Sequence, residues 1–302
     1  VCLPPAMNHP VKVAERIATL DILSNGRVHF GMGKGGTQQE AGTFGYDLGA
    51  LQPMIDESMY LIPKIMVQDE IEHDGEYIQI PRRPIHPKPY QDPHPPLYMA
   101  CTRADALTTA GSRGIGALVL GFAGPDDIAA KNAIYRAAWA DRKAEDQVGF
   151  RPTEHLAALC PALVLDDREK ARRIGLRGQR FFVESLGYWY QGGPKPTVED
   201  LSGDEQAAIL QQEKAAVVAY LSEEKITIGS EHTGAYEEVQ DAYGTADDCI
   251  RYVQRLFDAG ADEILFLFQM GAVPHDVILE TIRNIGTHVI PHFRAQAAVA
   301  AQ

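Results

Sequence analysis

Val28-His29-Phe30-Gly31-Met32-Gly33-Lys34-Gly35-Gly36 passes from a short apolar run directly into a loop with four glycines. The run predicts a strand over residues 28–31, and the glycines predict a loop that leaves the end of that strand. Glycine lets the backbone approach a ligand closely, and successive N–H groups can surround an anion. Because Lys34 adds a positive charge, we interpret the loop as ready for a phosphate. A tight turn with a solvated Lys34 is the alternative.

Strands and helices alternate on both sides of this loop. Before it, Pro10 suits the first turn of a helix that Asn25 and Gly26 end. After it, the apolar spacing predicts a helix over 50–68 broken at Pro53 and Pro63, a small strand over 76–80 and a proline-rich connector over 81–96. Further strands are predicted over 97–100, 117–120, 157–165 and 263–268. Further helices are predicted over 104–112, 126–141, 167–186 and 245–258, with a last helix from Pro274. The apolar run from Ile264 to Phe268 is typical of a parallel strand buried on both faces.

This alternation predicts an α/β fold, and we interpret it as a (β/α)8 TIM barrel. About six strands can be counted, whereas such a barrel has eight, each with its helix. The chain also begins at Val1 as if already inside a strand. We therefore expect an N-terminally truncated barrel that lacks roughly 60–90 residues. Residues 1–302 are predicted to form one domain, with a late, polar and strand-free insertion over residues 187–243.

Charge and cysteine content limit the possible partners. The formal net charge of -13 disfavours nucleic acid and anionic membranes, which it would repel. No apolar run reaches the ~20 residues of a membrane span. The four cysteines show no CxxC pairing, so we expect no metal site and reduced thiols in the cytoplasm.

The loop also matches the dinucleotide-binding pattern G-x-G-x-x-G, through Gly31, Gly33 and Gly36. That reading requires a helix that starts in the loop and an acid at the end of the next strand, about 20 residues on. Asp56 and Glu57 fall at this distance but inside a helix-like stretch, and the residues after Gly36 form a poor long helix. The pattern instead favours a loop at the carboxyl end of a barrel strand, where the active sites of barrels lie.

Several motifs in the same order resemble the bacterial-luciferase-like flavin-dependent monooxygenases. The family pattern is H-P-x-x-x-A-E, then L-D-x-x-S-x-G-R, then F-G-x-G-R-G, and the chain matches it at residues 9–15, 20–27 and 30–35. Further matches lie at Glu40, Phe44-Gly45, Glu57, residues 87–98, residues 100–102, residues 259–263 and Pro274-His275. The resemblance covers nearly the whole chain except residues 187–243.

The resemblance implies a (β/α)8 barrel with a late insertion, and reduced flavin bound at its carboxyl-end mouth. The flavin is FMN or, alternatively, a deazaflavin. The implied partners are O2, a small-molecule substrate, a separate flavin reductase and a second copy in a homodimer. Two other functions stay open. One is a deazaflavin-dependent dehydrogenase that transfers hydride, and the other is a non-catalytic flavin-binding partner subunit.

The resemblance also assigns cofactor-binding residues. Lys34, between Gly33 and Gly35, occupies the position of a basic residue that contacts the flavin phosphate. That residue is usually Arg, and Lys keeps its charge but not its two-pronged donor geometry. Thr102 and Arg103 follow a strand at a position where the family binds phosphate. The alternative for Thr102 is a simple helix cap, and the alternative for Arg103 is a solvated side chain in the first turn of a helix. Gly33 stands where the luciferase catalytic subunit has a reactive cysteine, so the catalytic residues are unknown.

Some polar residues are better explained by structure than by chemistry. Glu57 is expected to be structural. His86 and His94, in the proline-rich connector, are expected at the surface. His232, His275, His288 and His292 show no metal-ligand spacing with carboxylates.

Overall fold

A computed structural model describes residues 1–35, 37–121, 124–191, 194–197 and 242–300. These residues form an α/β fold whose contacts divide it into two compact units. The first unit contains Val1–Cys101, Asp105–Leu118 and Ile134–His155, and the second contains Thr102–Ala104, Val119–Ala133 and the chain from Leu156 onward. Most of the predicted insertion, residues 192–193 and 198–241, lies outside the described residues. The single domain over residues 1–302 and its insertion stay predictions.

The first unit is built on parallel strands with helices between them. Its helices and strands are α1 (Pro10–Ser24), β1 (Phe30–Met32), α2 (Gln38–Phe44), α3 (Leu51–Val67), β2 (Glu70–Asp74), β3 (Gln79–Pro84), β4 (Leu97–Cys101), α4 (Ala104–Ser112) and the start of β5 (Gly116–Leu120). The hydrogen-bonded order is β1-β4-β5, and β1 runs parallel to β4. This alternation confirms the α/β prediction for this part of the chain.

The second unit repeats the alternation. It contains the end of β5, most of α5 (Pro125–Ala140), β6 (Leu156–Pro161), β7 (Leu163–Val164), α6 (Arg168–Gln191), β8 (Tyr243–Gly244), α7 (Ala246–Asp258), β9 (Glu263–Leu267), α8 (His275–Asn284), a π-helical turn (Ile285–Val289) and α9 (Ile290–Ala300). The hydrogen-bonded order is β5-β6-β9, with β6 parallel to β9, and β7 pairs parallel with β8.

Helix α1 begins and ends as the sequence predicts. The His9 side chain accepts a hydrogen bond from Val11 N, and Pro10 occupies the first turn, where its missing N–H has no cost. Asn25 ends the helix in the left-handed region at φ 54°, which asparagine tolerates better than most residues. Gly26 follows at φ 77° and turns the chain toward β1.

The predicted breaks in α3 are wrong. Pro53 lies in the first turn, where backbone N–H groups have no partner inside the helix. Pro63 lies inside the continuous helix and is buried. Proline at this position removes one hydrogen bond of the helix. Nine buried residues along α3 offset that loss through packing.

Three strand predictions need correction. The strand predicted over 157–165 divides at Ala162, whose N–H donates to Leu267 O at 3.0 Å, into β6 and β7. β8 begins at Tyr243, at the end of the segment predicted to lack strands. The sequence did not predict it, because a strand of two residues leaves no periodic signal. The small strand predicted over 76–80 covers the turn of the β2–β3 hairpin and only the first two residues of β3.

Strand β9 is not buried on both faces, as its apolar sequence predicts. All five of its residues are at least partly exposed, and Leu265 is 38% exposed. The reason lies in the pairing: within the described part of the chain, β9 neighbours β6 along one edge and no strand along the other.

His94 is fully buried, so its predicted surface position is wrong. Its Nε2 accepts a hydrogen bond from Phe150 N at 2.9 Å. The neutral ring must then carry its proton on Nδ1, which lies 2.8 Å from Pro95 O. Burial lowers the pKa of His94, which keeps the ring neutral. The surrounding prolines made a surface connector the simpler reading of the sequence.

Candidate functional site

The glycine loop begins where β1 ends. Because β1 is parallel to β4, with Phe30 opposite Leu97, both strands present their carboxyl ends at the same edge. The loop also pairs with the N-terminal segment of the chain: Gly33 N donates to Val1 O at 2.8 Å, and Leu3 N donates to Gly33 O at 3.0 Å. The predicted position of the loop, at the carboxyl end of a strand, is therefore confirmed.

A small cluster of side chains supports the loop from one side. Gly35 has φ 58°, which favours glycine, and a Cβ added there would lie 3.4 Å from Met7 Sδ and 3.5 Å from Cys2 Sγ. The Tyr46 O–H donates to Met7 Sδ at 3.5 Å. Both sulfur residues are partly buried, whereas Lys34 is exposed. The loop thus rests on a packed surface and presents its charged residue to solvent.

Tyr46 remains a hydrogen-bond donor at neutral pH. Burial raises its pKa, and the neighbouring Glu40 and Cys2 raise it further. Because an unperturbed tyrosine already titrates near pH 10, the phenol stays protonated and keeps its contact with Met7.

The chain after the loop excludes the dinucleotide interpretation. Thr37 caps α2, because Glu40 N donates to Thr37 Oγ1 at 3.1 Å and Thr37 N donates to Glu40 Oε2 at 3.0 Å. The helix that follows has only seven residues. Asp56 and Glu57 lie within α3, not at the end of a strand. A dinucleotide-binding unit requires both the long helix and the strand-end acid.

The structure groups some of the predicted site residues and not others. Gly33, Lys34 and Gly35 belong to the first unit, whereas Thr102 and Arg103 belong to the second. Thr102 is exposed and directly follows β4, and the half-buried Arg103 is the last residue before α4. Their contact with a phosphate therefore stays a prediction.

The motif that precedes the loop has a structural role. Asp21 is fully buried and accepts two hydrogen bonds from Gln91, one from its backbone N and one from its Nε2, each at 2.8 Å. The same Nε2 donates to Val28 O at 2.8 Å. Asp21 and Gln91 together fix the lead-in to β1, and hence the position of the loop.

Glu57 also has the structural role that the sequence predicts. Its carboxylate accepts hydrogen bonds from the backbone N of Tyr77 and of Ile78, each at 3.0 Å. His73 Nε2 lies 2.9 Å from the same carboxylate. These contacts hold the turn of the β2–β3 hairpin against α3.

Sequence reasoning missed a buried ion pair in the second unit. Lys131 Nζ donates to Asp127 Oδ2 at 2.5 Å and to Leu120 O, the last carbonyl of β5, at 2.7 Å. Both side chains are almost fully buried. Their separation by four residues within a predicted helix was the available signal. The pair places a cation at the carboxyl end of a strand.

The loop fits an anionic group better than a metal ion. Gly33 and Gly35 leave the backbone accessible, and the exposed Lys34 between them supplies a positive charge. Among the residues that the structure describes, no group of three or more His, Cys, Asp or Glu side chains could hold a metal ion. Binding of a cofactor phosphate, such as that of FMN, by this loop stays a prediction.

The structure thus shows an α/β fold with a glycine loop at the carboxyl end of a parallel strand. Residues 1–263 match the family model of the luciferase-like monooxygenases. The chain therefore belongs to this family, and the resemblance of its motifs is confirmed. No helix in the described ranges is both long and apolar enough to cross a membrane.

Curated relatives agree with this assignment. The alkanal monooxygenase alpha chain of Aliivibrio fischeri is 23% identical over 301 residues, which cover 97% of this chain and 78% of that protein. Three other relatives align over only 114–116 residues. In those three, the matched part spans about a third of the relative's length, 32–34%.

Two solved structures share the fold. The FMN complex of the oxygenating constituent of 3,6-diketocamphane monooxygenase from Pseudomonas putida matches with a TM-score of 0.65 and 18% identity, over 96% of this chain and 78% of that one. The coenzyme F420-dependent tetrahydromethanopterin reductase from Methanopyrus kandleri matches with a TM-score of 0.63 and 22% identity, over 97% of this chain and 82% of that one.

Proposed function

We propose that the protein is a flavin-dependent monooxygenase that uses reduced FMN and O2 to oxidise a small organic substrate. The observation that carries this proposal is the Gly33–Gly35 loop with Lys34, at the carboxyl end of β1, in a chain of the luciferase-like family. The relatives named above include both an alkanal monooxygenase and an FMN-bound oxygenating constituent.

The residues of the glycine loop hold the phosphate of the cofactor in this proposal. The backbone of Gly33 and Gly35 approaches the phosphate, and the Lys34 ammonium balances its charge. Thr102 and Arg103, in the second unit, are further candidate cofactor-binding residues, because the N-terminus of α4 favours an anion. When bound, reduced flavin supplies two electrons for the reduction of O2. One oxygen atom then enters the substrate, and the other leaves as water.

The complete architecture and its partners belong to the same proposal. We expect the parallel strand–helix units to be part of a (β/α)8 barrel. A separate reductase supplies the reduced flavin, as the description of the Pseudomonas putida protein as an oxygenating constituent supports. A homodimer is the expected assembly. Four free thiols favour a reducing compartment, the cytoplasm.

A deazaflavin-dependent dehydrogenase is the second candidate, because one structure with this fold is described as coenzyme F420-dependent. Anaerobic titration with reduced FMN and with reduced deazaflavin separates the two functions. The proposal requires tighter binding of FMN. Tighter binding of the deazaflavin, with hydride transfer to a carbonyl or imine substrate, would favour the second candidate.

Lys34→Ala tests the phosphate contact directly. We expect the Kd for FMN to rise roughly tenfold, as for the loss of a charge-assisted hydrogen bond of about 1.5 kcal/mol. The Kd for riboflavin should not change, because riboflavin has no phosphate. Lys34→Arg should bind FMN at least as tightly as the wild type, since guanidinium can form two parallel hydrogen bonds. Lys12→Ala, an exposed lysine on α1, is the matched control. Equal losses for FMN and riboflavin would place the loop elsewhere in the site.

Rapid mixing of the reduced FMN complex with O2 tests the reaction class. A monooxygenase should reoxidise its flavin through an intermediate that free reduced FMN does not accumulate. Direct reoxidation, together with release of all consumed O2 as hydrogen peroxide, would contradict monooxygenase activity. FMN binding without oxidation of any substrate would support the non-catalytic flavin-binding subunit, and absence of FMN binding would support the deazaflavin alternative.

A further inference from the structure

The side chains that pack against the glycine loop belong to a larger cluster, here called the loop-support cluster. Its members come from four parts of the first unit: the segment before α1, the region of α2, the start of α3 and the tip of the β2–β3 hairpin. They are the buried Ala41, Tyr46 and Met54 and, packed against these, Met7, Ala50, Leu51 and Tyr77. The loop and the hairpin tip thus share one packed support, although α2 and α3 separate them in the sequence.

Met7 is the member of the cluster that reaches the glycine loop. A Cβ built on Gly35 would lie 3.4 Å from Met7 Sδ, and the Tyr46 O–H donates to the same sulfur at 3.5 Å. Lys34 directly precedes Gly35 in the chain. Because protein interiors are close-packed, a shift of Met7 also moves the backbone beside Lys34.

Tyr77 is the member that the hairpin contributes, and Glu57 fixes its backbone. The Glu57 carboxylate accepts hydrogen bonds from Tyr77 N and from Ile78 N, each at 3.0 Å. Gly75 permits this close approach, because a Cβ there would overlap Glu57 Oε1. The Glu57 side chain is only 14% exposed, so its removal would leave two backbone donors without their acceptor. Glu57 thus determines where the Tyr77 ring packs.

An anion site made of glycines depends on such support. Glycine loses more conformational freedom than any other residue when it is ordered, and Gly33 and Gly35 flank Lys34 on both sides. A loop that is ordered before binding avoids this entropy cost when the ligand binds. Its N–H groups must also point at the anion together. Side chains that hold the loop in place therefore affect affinity without touching the ligand.

We propose that Glu57 and Tyr77 are positioning residues for the anion that the glycine loop binds. Glu57 holds Tyr77 in the loop-support cluster, and the cluster preorganises the loop from Gly33 to Gly35 for a phosphate group. The inference rests on the proposed function, in which this phosphate is that of FMN. Because binding linkage is reciprocal, a phosphate bound at the loop stabilises the hairpin tip in return.

Cys2 reports on the support in the protein without any cofactor. Its Sγ would lie 3.5 Å from a Cβ built on Gly35, so a loosened loop exposes the thiol. Tyr77→Ala should raise the rate at which Cys2 reacts with a disulfide reagent about two- to thirtyfold, the range for a residue that acts through its neighbours. Tyr77→Phe keeps the ring and should react at the wild-type rate. An unchanged rate in Tyr77→Ala would overturn the inference.

Two carboxylate variants separate the role of Glu57 from a general loss of stability. Glu57→Gln keeps one acceptor oxygen and places an NH2 group against a backbone donor, so it should also raise the Cys2 rate. Glu70→Gln removes an exposed acid of the same hairpin, which pairs with Arg82 at 2.7 Å, and it should leave the rate unchanged. Equal rates in the two variants would overturn the role of Glu57, and this comparison decides the matter even if Tyr77→Ala fails to fold.

Flavin titration tests whether the support serves the anion. In Tyr77→Ala the Kd for FMN should rise about two- to thirtyfold, whereas the Kd for riboflavin, which lacks the phosphate, should stay unchanged. In the wild type, bound FMN but not riboflavin should slow hydrogen exchange at the N–H groups of Tyr77 and Ile78. Equal effects of the two flavins would overturn the inference. Failure of the wild type to bind FMN would refute the proposed function instead, and the Cys2 comparison, which needs no cofactor, would still decide the role of Tyr77.

Discussion

Asp21 positions the glycine loop without contacting it. Its buried carboxylate accepts both hydrogen bonds from Gln91, and Gln91 in turn bonds the backbone at Val28. Asp21→Asn replaces one acceptor oxygen with an NH2 group that faces a donor. We expect the free energy of unfolding to fall by about 1.5–3 kcal/mol, as for a lost hydrogen bond to a charged group.

Urea unfolding measures this loss, with Asp74→Asn as the control. Asp74 is exposed at the end of β2, so its substitution should change stability by less than about 0.5 kcal/mol. Similar losses in the two variants would show that the Asp21 contacts add little to stability.

At the same scale, sequence reasoning located the glycine loop that carries Lys34 and the structural role of Glu57, but it misplaced His94. The loop could be predicted because glycines and a cation form a local pattern. Glu57, within a helix, was readable as a non-catalytic acid. His94 was not readable, because its burial depends on Phe150, 56 residues away in the chain. The contact between Asp21 and Gln91 spans 70 residues. Partners at such separations leave no trace in local spacing.

Among the elements, helices with clear ends were predicted well and strands less well. α1 carries its own start and stop signals at Pro10 and Asn25. The strand predicted over 157–165 was read as one element, because the division at Ala162 depends on partners far along the chain. The exposure of β9 has the same cause: apolar sequence shows what a strand can bury, not how many neighbours it has.

His94 makes stability depend on pH through its contact with the loop at Phe150. The neutral ring accepts the Phe150 N–H, and protonation of Nε2 would abolish that bond. Burial lowers the pKa of His94 below its ordinary value of 6.5, and Arg151 lowers it further. The unfolded chain therefore binds the proton more readily than the folded one. This contribution to stability is complete above about pH 6.5 and is lost as the pH falls toward the lower pKa of the folded state.

Urea unfolding between pH 7.5 and 5.5 tests this linkage. The free energy of unfolding should fall by up to about 1.4 kcal/mol per pH unit below 6.5. His94→Gln should remove that part of the slope, whatever its effect at pH 7.5. His288→Gln, at an exposed position, should retain the slope. An unchanged slope in His94→Gln would assign the dependence to another group.

For the whole molecule, the four thiols report how the two compact units open. Cys101, Cys160 and Cys249 are fully buried, whereas Cys2 is partly exposed. Burial raises the pKa of Cys249 to about 12 and that of Cys160 well above its ordinary value. The thiolate is the reactive form, and only Cys2 is accessible among the four thiols. The native protein should therefore consume one equivalent of a disulfide reagent quickly at pH 8. Cys2→Ser should abolish this fast reaction, and a second fast equivalent in the wild type would contradict the burial.

The buried thiols then test the prediction of a single domain. Cys101 belongs to the first unit, and Cys160 and Cys249 belong to the second, while β5 contributes residues to both. Opening either unit would remove part of a strand that the other requires, so we expect cooperative unfolding. Labelling in increasing urea, read by mass spectrometry for each cysteine, should expose all three thiols at one midpoint. Exposure of Cys101 at a urea concentration where Cys160 and Cys249 are still protected would instead mean that the chain unfolds as two domains.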